Sequence, residues 1–390
     1  MKMLKVGIVG GAGQVGSALL RSLNTEREIQ AFGICRNRVS AARVASLGMP
    51  VRIVQTDDPV QLAQETRDLD VIVNCALPQY QPSMTSVANH RLALSLTSAC
   101  AGKRLVHLSS VAVYGDFLSS RKDFFDHPKP DITYGRQKLQ MEQLLRKLAK
   151  KHSAKCTILR LGHVYGPQLR WSEGFFDLIK TDGFRLPFDG ELASNAIWID
   201  NLIAGIKQVI IAPPAQDTVN LVDSPQTTWR EIFDLHSKAC GRPAVEPLDQ
   251  FESNRRFLIA KTKGQTGLAK RLFLESAAWL IHLPSSYVAS APAFKTLSQR
   301  IVAGIGSKGL DSRLWALYCR HFSARADGAP GPTTLAVLLS EPVPGHCLTY
   351  NGSRPTECLS ALEAWHNAIS TPHVSHRTIF HSREIAQEIP

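Results

Sequence analysis

Tyr134 and Lys138 are the two side chains whose types and spacing most clearly suggest chemistry. They lie four residues apart at the start of a basic amphipathic run, residues 137–152, and positions four apart share one face of a helix. A neighbouring ammonium group favours the phenolate and lowers the tyrosine pKa from its usual value of about 10. Such a tyrosine can exchange a proton with a carbinol or carbonyl oxygen. The spacing alone also fits a solvated helix.

Glycines near the N-terminus could hold a phosphate group. Gly10, Gly13 and Gly16 follow an apolar stretch, residues 5–9, that predicts a buried strand, and a helical run begins at Val15. Residues without a Cβ let the backbone approach a pyrophosphate, which then lies at the positive end of the helix. We predict a dinucleotide site at Gly10, Gly13, Gln14, Val15 and Gly16. The alternative is a tight turn that binds nothing.

The next strand ends in basic residues rather than in an acidic one. Residues 29–35 predict this strand, and Arg36 and Arg38 follow it. In a dinucleotide fold an acidic side chain here binds the free ribose 2′-hydroxyl, whereas arginine suits a 2′-phosphate. We therefore expect NADP in preference to NAD, with two solvated loop arginines as the alternative. Asp57 and Ala76 follow the next two strands and are predicted to reach the cofactor as well.

Strands and helices alternate through the first half of the chain. This pattern predicts parallel strands joined by right-handed crossovers, which is a Rossmann-like, doubly wound α/β sheet. Ligands of such sheets bind beyond the carboxyl ends of the strands. The candidate binding and catalytic residues lie at the predicted carboxyl ends of the strands. They are Gly10, Arg36, Asp57, residues 74–76, Ser109 and Ser110.

Five motifs in order resemble those of the extended short-chain dehydrogenase/reductases, the group that includes nucleotide-sugar epimerases and dehydratases. The resemblance covers about residues 4–250. The matching positions are the glycines of residues 10–16, Ser110 four residues before Tyr114, Tyr134 with Lys138, residues 159–167 and residues 196–202.

The resemblance implies roles for the three residues that match the catalytic set. Hydride would move between C4 of a nicotinamide and a substrate carbon while Tyr134 exchanges a proton with the attached oxygen. Ser110 would hydrogen-bond that oxygen. Lys138 would bind the nicotinamide ribose and lower the Tyr134 pKa. In the sugar dehydratases an acidic pair follows the catalytic hydroxyl residue, but Val111 follows Ser110 here, which disfavours a dehydratase.

Substrate contacts are predicted from His163 and from arginines. His163 stands where many members of the family carry an asparagine, so it could contact a polar group of the substrate, or it could be only a satisfied loop residue. Arg160, Arg170 and Arg185 could clamp an anionic group such as a diphosphate. Each is also the kind of arginine that is often only a surface or core-pairing residue. We expect Arg170 to bind substrate.

Composition is that of a globular protein, with a net charge of +12. This charge suggests an acidic small molecule or an anionic surface as a partner, and no aromatic-rich basic motif supports nucleic acid. The eight cysteines are scattered, without C-x-x-C pairs, so a reduced cytoplasmic compartment is the expectation. No metal site is predicted, because the histidines near the C-terminus have no firm ligand spacing.

We expect three units: a dinucleotide-binding domain at 1–165, to which 196–222 returns in part, a substrate lobe at 166–250, and a basic extension of unknown role at 251–390. From residue 250 to 330, twelve Lys or Arg stand against four Asp or Glu. This region could lie on an anionic membrane face, which would make the protein membrane-peripheral, although a lid or a dimer-packing subdomain is favoured. A homodimer is expected.

The sequence therefore predicts an NAD(P)-dependent epimerase or oxidoreductase that acts on a hydroxyl or keto centre of a nucleotide sugar. One alternative is an NADPH-dependent reductase of a non-sugar ketone or aldehyde. The other is a non-catalytic sensor or scaffold, which would not need the complete set of Ser110, Tyr134 and Lys138.

Overall fold

Seven parallel strands form the central sheet of the protein, in the order β10-β6-β5-β4-β1-β2-β3. The computed structural model describes residues 3–77, 82–114, 128–130, 133–181, 184–248 and 355–370. The strands of this sheet are β1 (Leu4–Val9), β2 (Ile29–Cys35), β3 (Val51–Ile53), β4 (Val71–Asn74), β5 (Arg104–Ser110), β6 (Lys155–Leu161) and β10 (Thr218–Leu221).

Helices connect these strands and cover the sheet. Two apolar clusters pack against it, one of which contains Val6 and Ile8 and the other Val9 and Ile72. The strands are buried on both faces, as expected for a parallel sheet. The connecting helices are α1 (Gln14–Leu23), α2 (Arg38–Ala45), α3 (Pro59–Glu65), α4 (Pro82–Ala99), α5 (Thr133–His152) and α7 (Ile199–Ile211).

A second group of elements lies beyond the carboxyl ends of the main strands. Two parallel strand pairs occur here, β7 with β9 and β8 with β11. Thr228 caps α8 through a reciprocal capping box with Glu231, which explains why the helix begins at the next residue. The elements are β7 (His163–Tyr165), α6 (Arg170–Lys180), β8 (Leu186–Pro187), β9 (Ala196–Trp198), α8 (Trp229–Ala239) and β11 (Pro247–Leu248).

One helix from the C-terminal region packs onto this second group. Helix α9 (Pro355–Ser370) buries Cys358 and Leu362, which are 3% and 0% exposed. The Trp365 ring lies 5.7 Å from the Phe176 ring of α6, measured between centroids. Helix α9 thus contributes apolar contacts to the lobe formed by α6 and α8.

The predicted Rossmann-like sheet is confirmed, with small differences in the bounds of its elements. Helix α5 begins at Thr133, so Tyr134 lies in its first turn rather than before it, and β3 ends at Ile53. The basic region at residues 251–330, for which a lid or dimer-packing subdomain is favoured over a membrane contact, lies outside the described residues. Within the described part of the chain, no helix is long and apolar enough to cross a membrane.

Candidate active site

The glycine turn between β1 and α1 is packed too closely to admit side chains at two of its positions. Gly10 has φ +81°, and a Cβ there would lie 2.9 Å from the Ala76 backbone nitrogen. A Cβ on Gly16 would lie 2.3 Å from the Gly10 carbonyl oxygen. No side chain caps α1 at Gly13, so the first N–H groups of the helix are left for an anionic group. This cradle fits a dinucleotide pyrophosphate.

The other predicted cofactor residues follow the neighbouring strands β2, β3 and β4. Arg36 is exposed directly after β2, and Asp57 is exposed in the turn that precedes α3. The Ala76 N–H donates to the Asn74 carboxamide oxygen over 3.1 Å, which fixes the backbone after β4 beside Gly10. The structure therefore brings these positions to one edge of the sheet, as the parallel strand order requires.

Ser110 and Tyr134 meet at the centre of this edge. Ser110 is the last residue of β5, and its hydroxyl hydrogen-bonds with the Tyr134 side chain. It also accepts the Ala112 N–H over 3.2 Å. The Tyr134 side chain is 44% exposed, so its ring remains open to an incoming substrate. In this arrangement, Ser110 can hydrogen-bond a substrate oxygen and orient it while Tyr134 exchanges a proton with the same oxygen.

The pKa of Tyr134 differs from the sequence-based expectation. Desolvation raises this pKa above its usual value, and the hydrogen bond with Ser110 opposes that rise. The expectation that Lys138 lowers the Tyr134 pKa is therefore wrong for this structure. The Lys138 nitrogen lies 5.8 Å from the centre of the Tyr134 ring and donates to the Leu108 carbonyl oxygen over 2.8 Å.

Lys138 is a buried cation behind the tyrosine. It is 5% exposed, and desolvation lowers its pKa to about 8, while Cys75 and Glu142 act in the opposite direction. Burial in turn raises the Cys75 pKa to about 12, which leaves the thiol neutral at pH 7. Lys138 can therefore supply a positive charge at neutral pH to a group bound near β4 and β5.

Gly135 lets Tyr134 approach Ser110 closely. The sequence analysis did not predict this role. A Cβ on Gly135 would lie 2.2 Å from the Ala112 carbonyl oxygen and 2.9 Å from the Pro130 Cβ. Only glycine lets the first turn of α5 approach the short 3-10 turn after Ser110 this closely. The signal was its place between Tyr134 and Lys138.

His163 lies in an aromatic cluster of the second group of elements. Its ring centroid is 4.8 Å from that of Trp171 and 5.8 Å from that of Trp229. Desolvation lowers the His163 pKa to about 4, so the imidazole is neutral at pH 7. A neutral imidazole can donate and accept hydrogen bonds without carrying charge. The buried Trp229 indole nitrogen has no hydrogen-bond partner among the described residues.

The three candidate arginines have different surroundings. Arg160 is 2% exposed and makes a two-point ion pair with Glu142, so its prediction as an anion clamp is wrong. Arg185 lies 3.1 Å from a Glu246 carboxylate oxygen. Arg170 is exposed at the first position of α6. A clamp role therefore stays a prediction only for Arg170 and Arg185.

Comparison with known proteins agrees with this geometry. Residues 6–179 match the model of the NAD dependent epimerase/dehydratase family. The matched domain covers less than half of the 390-residue chain. The predicted resemblance to the extended short-chain dehydrogenase/reductases, and the expectation of an NAD-dependent enzyme of that type, are confirmed at the level of the family. The domain contains the glycine turn, Ser110, Tyr134 and Lys138.

Two sequence relatives extend beyond the epimerase/dehydratase domain. A UDP-glucose 4-epimerase from Vibrio cholerae is 25% identical over 233 residues, which are 55% of this chain and 69% of the relative. A 2'-dehydrokanamycin reductase from Streptomyces kanamyceticus is 25% identical over 255 residues, which are 62% of this chain and 68% of the relative.

Solved structures of epimerases share the fold. A UDP-glucuronic acid 4-epimerase from Bacillus cereus, in complex with UDP-glucuronic acid and NAD, gives a TM-score of 0.50 at 23% identity, covering 63% of this chain and 86% of that chain. A UDP-N-acetylglucosamine 4-epimerase from the same organism gives 0.52 at 18% identity, covering 63% and 85%.

Proposed function

We propose that the protein is an NAD(P)-dependent epimerase or oxidoreductase that acts on a hydroxyl or keto centre of a nucleotide sugar. The hydrogen bond between Ser110 and Tyr134, beside the glycine turn, carries this proposal. Support for the substrate class comes from the UDP-glucose 4-epimerase relative, which matches 69% of its length.

The residues at this edge of the sheet have separate roles in cofactor binding and in proton transfer. Gly10 and Gly16 let the backbone approach the pyrophosphate, and the start of α1 supports its negative charge. The bound nicotinamide supplies hydride transfer to and from a substrate carbon. Tyr134 donates or accepts the proton of the attached oxygen, Ser110 holds that oxygen in line, and Lys138 supplies a nearby positive charge.

NADP is the cofactor we propose in preference to NAD. Arg36 lies at the end of β2, where the adenosine ribose of a dinucleotide is expected, and a guanidinium group suits a 2′-phosphate. Fluorescence titration should show tighter binding of NADPH than of NADH, and Arg36→Ser should reduce NADPH affinity by about tenfold. Arg27→Ser, at the other end of β2, is the control. Equal affinities for both cofactors in the wild type would refute the preference.

A turnover assay tests the proposed chemistry. The wild type and Tyr134→Phe are incubated with NAD(P) and a panel of nucleotide sugars, and epimerised or reduced products are measured. Loss of the proton-transfer group should lower kcat by about 100-fold or more. Tyr165→Phe removes a different phenol, which is buried and donates to Asp223 over 3.2 Å, and this variant should remain active. Full activity of Tyr134→Phe would refute the role of Tyr134.

A ketoreductase is the second candidate. The observation that favours it is the similarity to the 2'-dehydrokanamycin reductase, at an identity equal to that of the epimerase relative. An epimerase returns its cofactor to the starting oxidation state in each cycle, whereas a reductase consumes NAD(P)H in proportion to product. Net oxidation of NADPH by a keto substrate, without epimerised nucleotide sugar, would therefore favour the reductase.

A further inference from the structure

We propose that Glu142 is a positioning residue that holds Ser110 against Tyr134 by joining strand β5 to helix α5. The inference rests on the proposed function, because it concerns the same serine and tyrosine. Glu142 does not reach the open edge of the sheet: it is 0% exposed and lies two helical turns after Tyr134.

The Glu142 carboxylate is held by groups from three elements. One oxygen accepts the Ser109 hydroxyl over 2.5 Å and the Arg160 Nε over 3.1 Å. The other accepts the Arg160 Nη2 and the Arg146 Nη2, each over 2.9 Å. These bonds connect α5 to β5 through Ser109 and to β6 through Arg160. A carboxylate this deeply buried, with both oxygens engaged, has a single well-defined position.

Strand β5 and helix α5 carry the two halves of the catalytic pair. Besides the Ser110–Tyr134 hydrogen bond, two further side-chain bonds join them among the described residues. Lys138 donates to the Leu108 carbonyl oxygen, and Ser109 donates to Glu142. Both contacts lie within two residues of Ser110. Because Ser109 and Ser110 are adjacent, the bond to Glu142 limits how far the end of β5 can move relative to Tyr134. An oxygen displaced by about 1 Å from its productive position can reduce a rate by about 100-fold.

Several charged or titratable groups of the described residues lie around this contact. Lys138 is buried between the ends of β4 and β5, where Cys75 lies near it, and Glu142 raises the Lys138 pKa. The further groups that face Glu142 or Lys138 are His107 on β5, Arg146 on α5, Arg160 and Cys156 on β6, and Tyr114 in the 3-10 turn.

Ser109→Ala tests the proposal because it removes the Ser109 hydroxyl and leaves the Arg160–Glu142 ion pair in place. The readout is the Tyr134 phenol pKa, measured by near-ultraviolet difference absorbance against the matching variant that also carries Tyr134→Phe. The hydrogen bond with Ser110 lowers this pKa, so its loosening in Ser109→Ala should raise the pKa. Turnover should fall about tenfold with NADPH affinity unchanged.

Ser95→Ala is the matched control. Ser95 is also 0% exposed, and its hydroxyl donates to the Arg91 carbonyl oxygen over 3.0 Å within α4, away from the site. It should leave the Tyr134 pKa and kcat at wild-type values. If Ser109→Ala does not fold, Ser109→Cys, which keeps the volume but has only a weak donor, takes its place.

An unchanged Tyr134 pKa in the folded Ser109 variant overturns the positioning role of Glu142. The proposed function fails by a different result, namely no turnover of any nucleotide sugar by the wild type. In that case the absorbance comparison still decides the positioning role, because it needs no substrate.

Discussion

Gly135→Ala is the substitution that best separates the position of Tyr134 from the stability of the fold. The new Cβ would lie 2.2 Å from the Ala112 carbonyl oxygen, more than about 1 Å inside ordinary contact distance. The first turn of α5 must therefore move away from the 3-10 turn that follows Ser110. A shift of about 1 Å between reacting groups costs about 100-fold in rate, so we expect kcat to fall by about that factor.

Steady-state turnover of a nucleotide sugar from the panel that the wild type converts measures this effect, together with NADPH affinity and thermal unfolding. NADPH affinity should change little, because the glycine turn at Gly10 lies between β1 and α1 and is not part of α5. Gly174→Ala is the control: among the described residues, no heavy atom outside its two chain neighbours and the backbone of its own helix lies within 4 Å of the added Cβ. Alanine in a helix should stabilise the protein by about 0.5–1 kcal/mol. A folded Gly135→Ala enzyme with kcat within about threefold of wild type would refute the close approach.

Three further predictions concern buried ionisable side chains. Because desolvation lowers the Lys138 pKa to about 8, kcat/KM should fall as the pH rises through that value, and Lys138→Arg, which keeps its charge, should move the fall to higher pH. Arg160→Met leaves Glu142 buried without its main partner and should reduce the free energy of unfolding in urea by about 3–5 kcal/mol; a loss below about 1 kcal/mol would contradict the pairing. His236 is 0% exposed, and burial lowers its pKa to about 4; its unfolded form takes up a proton first as the pH falls from about 6.5, so stability should drop by about 3 kcal/mol by about pH 4. His236→Gln should flatten this dependence in urea unfolding at several pH values, whereas exposed His90→Gln should not.

The fold was predictable from the sequence because its signals are local. Strands β1, β2, β4 and β5 are short apolar runs that end at or directly before Gly10, Arg36, Asn74 and Ser110. Their parallel order follows from the alternation with helices. The glycine turn was equally local, since Gly10 needs φ +81° and Gly16 lies against the Gly10 carbonyl.

The electrostatics of the site were not predictable from spacing. Tyr134 and Lys138 share a helix face, but the Lys138 nitrogen is directed by the Leu108 carbonyl, which belongs to another element. Arg160 has the sequence context of an anion ligand, but its partner Glu142 lies 18 residues earlier in the chain, on helix α5. A periodicity argument shows which face a residue occupies, whereas its pKa depends on atoms that only the folded chain brings near.

Buried ion pairs contribute little net stability, because the cost of desolvating both charges offsets their attraction. The Glu142–Arg160 pair is therefore better explained by the arrangement that it enforces than by energy. Replacing it with apolar side chains could retain the core, but such side chains would not fix Ser109 at one hydrogen-bonding distance from α5. A catalytic pair split between a strand and a helix requires this kind of directional contact, since apolar packing tolerates small shifts that a proton transfer does not.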